Sequence, residues 1–98
     1  MSKNVQSSVM GYHYYKSIWV PVVGERLQCQ REPANSYDRW AVAVLHNGAV
    51  AGHVPREISK VFSRYLDAGY KITAVVSSKP ENRRRKGMEV PVCYEIRK

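Results

Sequence analysis

The chain has no apolar run approaching the roughly 18 residues that a membrane-crossing helix requires, so no helical span is expected. Its opening residues, MSKNVQSS, lack the apolar stretch of a secretory signal, which points to the nucleus or cytoplasm. Cysteine is scarce. Cys29 and Cys93 form no C-x-x-C pair, and no Cys or His pair shows ligand spacing, which argues against a structural zinc site. Both cysteines fall in segments that read as strands, so buried thiols are expected, with a disulfide left open. Acidic residues are also few, eight in all, and dispersed, with no pair placed for two-metal chemistry. The phosphate-loop pattern G-x-x-x-x-G-K-[ST] is missing, and no nucleophile-elbow motif accompanies the Ser, His and Asp residues. No catalytic constellation and no cofactor are therefore expected.

Positive charge is abundant. Sixteen Lys and Arg against eight Asp and Glu leave a net charge of +8 at pH 7. Such an excess on one small domain favours a polyanionic partner, nucleic acid first. The alternative is a protein-interaction module whose charge serves an acidic partner. At 98 residues the chain has room for one modest core, hence a single domain spanning 1–98, expected as a monomer. Hydrophobic content of 44% and charged content of 24% are ordinary for a folded chain.

The polar residues 1–8 read as a flexible tail. Val9 to Val23, which holds YHYYKSIWVPVV, reads as a strand, or as two pieces divided near Lys16 and Ser17, with Pro21 at an edge or bend. Glu25 to Arg31 alternates and puts Leu27 and Cys29 on one face. The most informative stretch is REPANSYDRWAVAVLHNGAVAGHVPRE, from Arg31 to Glu57. Pro33 to Asp38 is turn chemistry, and Trp40 to Leu45 alternates as a strand. Asn47-Gly48 is a hairpin turn, Ala49 to Val54 is the returning strand, and Pro55 suits the first helical position. Ile58, Val61, Phe62, Tyr65 and Leu66 then form one apolar helical stripe that ends at Gly69. Tyr70 to Ser78 and Met88 to Arg97 read as strands, Pro91 marking an edge or bulge. Between them Arg83 to Lys86 make a basic tip. Its residues, Arg84 among them, would each add about 0.7 to the salt dependence of single-strand binding as phosphate contacts. The same run suits a solvated loop or a nuclear import signal. The expected fold is α+β, mainly β: a small OB- or SH3-like barrel of about six strands with one main helix.

The pattern REPANSYDRWAVAV followed by NGAVAGHVPRE, with GYHYY at 11–15 and DAGY at 67–70, resembles the HIRAN domain over roughly residues 9–78. HIRAN domains occur alone or attached to helicase-like and nuclease proteins, so a larger partner or fused domain of that kind is implied. The resemblance further implies recognition of single-stranded DNA, preferentially at a free 3′-OH end, in DNA repair or replication. By resemblance, Tyr14 and Tyr37 would stack on terminal bases, and Asp38 would accept a hydrogen bond from the 3′-OH. His53 and Arg56 would hold terminal phosphates; a helix start independently suits an anion. His13 stands where a DNA-binding relative has an arginine, which implies a weaker phosphate contact at pH 7. Trp40 departs from the family, which usually has a small polar residue there. It would either add a stacking face or block the end-binding slot. Read from composition alone, Asp38 is equally a turn former bonded to its own loop, and His53 a strand end.

Overall fold

A computed structural model describes residues 2–11, 19–83 and 87–98. Among these residues the elements run β1 (Ser2–Val9), β2 (Arg26–Arg31), β3 (Val42–His46), β4 (Ala49–His53), α1 (Arg56–Asp67), β5 (Lys71–Val76), β6 (Glu81–Arg83) and β7 (Gly87–Arg97). The strands are joined antiparallel in the order β1-β7-β5-β2-β3-β4, with β6 paired to the start of β7. The two ends of this sheet meet just beyond β1. Met10 N–H donates to the His53 carbonyl at 2.7 Å, and His53 N–H to the Met10 carbonyl at 2.9 Å. A sheet whose ends pair in this way has no free edge there and closes into a small barrel. The expected mainly β α+β architecture is what the described residues adopt, with one helix among them.

The local signals of the central stretch act as their chemistry dictates. Asn47 at φ 51° and Gly48 at φ 82° build a tight hairpin turn between β3 and β4. Pro55 stands one residue earlier than expected, as the cap before α1, with φ −53° and ψ 140°. At the far end, Gly69 N–H bonds the Leu66 carbonyl and Tyr70 N–H bonds the Tyr65 carbonyl, a Schellman closure. The Tyr65 and Tyr70 rings meet edge-on at 5.1 Å across it.

Long-range pairing overrides four expectations. Residues 2–9 are a strand rather than a flexible tail, paired with β7 from Ser2↔Arg97 to Val9↔Val90. Half of their side chains are exposed, so backbone bonding to β7, which no sequence pattern announces, orders them. Residues 19–23 are loop rather than strand, with Val20, Val22 and Val23 exposed; the residues between them and Gly11 lie outside the described ones. β3 begins only at Val42, because Trp40 and Ala41 are used in turning out of the preceding loop. Pro91 lies in the middle of the sheet, in β7 between β1 and β5. It is tolerated because Ser77 N–H donates to the Pro91 carbonyl at 2.9 Å where the β5 ladder ends, so only one terminal bond is forgone.

The core fills the barrel and the space beneath α1. β7 contributes Val90, Val92, Tyr94 and Ile96, all buried, as the alternation of its second half implies. Phe62 reaches from α1 to meet the Tyr94 ring edge-on at 5.0 Å. The helix's buried face differs slightly from the apolar stripe: Val61 is 54% exposed, whereas Ser59 and Ser63 are buried. Those serines bond back to the helix carbonyls of Arg56 and Lys60, which satisfies their hydroxyls at little cost in space. Cys29 and Cys93 are free thiols, and burial pushes the Cys29 thiol up to about 12, so it stays protonated at physiological pH.

Candidate nucleic-acid interface

The loop between β2 and β3 is held by its own side chains. Glu32 N–H bonds the Ala41 carbonyl at 2.9 Å and closes the loop at its base. Asn35 Oδ1 accepts from the backbone N–H of Tyr37 at 2.9 Å and of Asp38 at 3.2 Å. Asp38 Oδ1 accepts from Trp40 N–H at 2.9 Å. Two successive Asx turns thus fix where Tyr37 and Asp38 project. Tyr37 is 89% exposed, so its ring is open to a stacking partner. Asn35→Ala is expected to lower stability by about 1–2 kcal/mol through its two lost backbone bonds. Urea denaturation would measure this, and Tyr37 amide exchange should accelerate by more than the global loss explains.

Asp38 is a turn former bonded to its own loop, and its second oxygen faces α1. Its Oδ1 forms the turn, while its Oδ2 receives the Ser59 hydroxyl at 3.3 Å and lies 3.8 Å from Arg56 Nε. A carboxylate offers about four acceptor positions, so one further donor can still be taken. Ser59 escapes a reading of the sequence, since a serine inside a helical stripe signals nothing; only the approach of the loop to α1 lets its one hydroxyl proton be shared between the Arg56 carbonyl and Asp38 Oδ2. Arg56 also donates from Nη2 to the Tyr37 carbonyl at 3.3 Å and is otherwise exposed. His53 Nε2 lies 2.6 Å from Glu32 Oε1, so the imidazole is braced from the base of the same loop.

These elements enclose an open cleft of about 160 Å³ lined by Asn35, Tyr37, Asp38, Ala41, His53, Val54 and Arg56. Drug-sized ligands occupy pockets of about 300–1,000 Å³, so this cleft is smaller than such pockets. Of the residues singled out from the sequence, Tyr37, Asp38, His53 and Arg56 come together here. Trp40 does not line it. Its ring lies beside Arg31, Arg39 and Lys60, so it neither stacks within the cleft nor blocks it. His13, Tyr14 and Arg84 lie outside the described residues, as do the other members of the GYHYY motif beyond Gly11 and the tip of the basic hairpin. The described chain before His13 ends beside the cleft, because Met10 pairs with His53.

The sequence matches the HIRAN domain family over residues 2–95, nearly its whole length. The chain belongs to the HIRAN family. Two solved structures resemble it. The HIRAN domain of human HLTF superposes with a TM-score of 0.78 at 25% identity, covering 95% of this chain and 74% of that one. A structural-genomics protein from Lactobacillus plantarum superposes with a TM-score of 0.68 at 19% identity over 100% of both chains, a likeness of fold alone. No curated protein matches the sequence. HIRAN domains are DNA-binding modules, which agrees with the +8 charge of this one.

Proposed function

We propose that this HIRAN domain holds the free 3′ end of single-stranded DNA as a non-catalytic binding module. Tyr37 offers a face to the terminal base, Asp38 accepts the 3′-hydroxyl, and His53 and Arg56 meet the terminal phosphates. His13 and Tyr14 complete the contact, and Arg84 adds a phosphate contact. The module serves DNA ends in repair or replication, alone or joined to a helicase- or nuclease-like protein.

The observation that carries this reading is one carboxylate with spare acceptor capacity, set between an exposed tyrosine and an arginine in a small open cleft. An acid beside a polyanion weakens general binding, so its placement there needs a donor to receive. A hydroxyl is such a donor. A terminal phosphate would instead face the Asp38 charge at close range.

Fluorescence anisotropy with a short single strand bearing a free or phosphorylated 3′ end tests this. A hydrogen bond to a charged acceptor contributes about 1.5–3 kcal/mol, so wild type should prefer the free end by roughly 10- to 100-fold. Asp38→Asn keeps an acceptor for the Trp40 N–H while removing the charge, and should collapse that preference. Equal binding of both ends by wild type would overturn end recognition and leave a general polyanion binder. No binding at all would favour an acidic protein partner.

A further inference from the structure

Trp40 carries three cations around its ring. The Arg39 guanidinium lies 4.9 Å from the ring centroid, the Lys60 ammonium 5.5 Å and the Arg31 guanidinium 5.7 Å. The three are not equivalent. Arg31 Nη1 donates to both Asp67 carboxylate oxygens, at 2.9 and 2.7 Å, and Nη2 donates to the Arg39 carbonyl at 2.8 Å. Its charge is answered, and it acts as a brace for the backbone at Arg39. Arg39 and Lys60 are exposed, and neither pairs with a carboxylate among the described residues.

We propose that Arg39 and Lys60, held in place by Trp40, form a phosphate clamp for the DNA strand that leads into the cleft. This deepens the end-binding reading and rests on it for the direction of the strand. Lys60 follows Arg56 by one helical turn on α1, so the two share a face with about 6 Å between them along the axis. Arg39 stands directly after Asp38, and Trp40 N–H bonds Asp38, so the clamp begins within about 7 Å of the cleft. With three cations against the indole, a base stacking on Trp40 would compete with them for the ring. The ring instead orders two long side chains before the ligand arrives, which lowers the entropy lost on binding. Trp40 is thus a positioning residue, and the phosphate contacts belong to Arg39 and Lys60.

The test is the salt dependence of binding to an eight-nucleotide single strand, with free and with phosphorylated 3′ ends. In the double variant Arg39→Gln/Lys60→Gln, the slope of log affinity against log salt should fall by about 1.4, roughly 0.7 per lost phosphate contact. The ratio between the two ends should stay as in wild type. Trp40→Leu should weaken binding of both ends while both cations remain, and Trp40→Tyr should restore it. Lys79→Gln/Lys98→Gln, which removes the same charge from other exposed positions, should leave the slope near wild type. An unchanged slope in Arg39→Gln/Lys60→Gln overturns the clamp. An equal fall in the control overturns it too, since net charge alone would then explain the loss. Equal binding of the two ends by wild type, with the slope lost only in the clamp variant, would overturn end recognition and leave the clamp standing.

Discussion

Replacing Phe62 by alanine is expected to cost about 3–5 kcal/mol, the range for truncating a buried aromatic in a packed core. A domain of this size has a total stability of about 5–15 kcal/mol, so the loss is a large share of it. Phe62 is 2% exposed and is the residue by which α1 reaches the centre of the barrel, against Tyr94 at 5.0 Å. The fully buried helical positions beside it are the small Ser59 and Ser63, while Ile58, Tyr65 and Leu66 pack only partly buried against the core. Urea denaturation should show a lowered midpoint, and thermal melting a drop of about 4–8 °C for each kcal/mol. The consequence reaches the cleft, since Ser59 on the same helix face holds Asp38. Tyr94→Phe separates packing from hydrogen bonding. It keeps the ring and loses only the bond from the Tyr94 hydroxyl to the Ser8 carbonyl at 2.6 Å, so a loss nearer 1 kcal/mol is expected. If Phe62→Ala melted like wild type, the barrel would not be packed around this aromatic pair.

The second large effect is expected at Gly52, where the cost comes from crowding. A Cβ there would strike the Val9 side chain and lie 2.7 Å from the Met10 carbonyl oxygen. That carbonyl accepts the His53 N–H in the pair of bonds that closes the barrel. Gly52→Ala must therefore push the end of β1 and β4 apart where Met10 pairs with His53. Overpacking of this kind costs about 1–3 kcal/mol, occasionally more. Part of the loss should be local. Amide exchange at Met10 and His53 should speed beyond the global change, and affinity for single-stranded DNA should fall because His53 lines the cleft. Gly52→Ser should behave the same way, since any Cβ meets the same atoms. Substituting Gly48 provides a contrast: a Cβ there meets nothing within 4 Å, so only its positive φ of 82° resists.

Much of the candidate site is legible in the sequence, because the chemistry that builds it is local. Pro33, Asn35 and Asp38 specify a loop stitched by side chain–backbone bonds a few residues apart. Asn47-Gly48 sets the hairpin, and Gly69 ends the helix. Such devices act within one turn of chain, and each leaves its residues in the order in which they work. The convergence of Tyr37, Asp38, His53 and Arg56 follows from a loop, a hairpin and a helix start placed in direct succession.

Contacts between distant segments have no such signature. β1 is a strand because β7 offers it a ladder, although its own side chains read as a polar tail. Pro91 sits in a central strand because the β5 ladder happens to end beside it. Ser59 joins the site, and Val61 leaves the core, through the way α1 rolls onto the barrel. Trp40 reads as a stacking face or an obstruction; packing gives it three cations from β2, the loop and α1 instead. Turns and caps are decided by energies within a few residues. Strand neighbours, helix roll and the company of a surface indole are decided by burial and pairing across the whole chain, which one-dimensional periodicity does not encode.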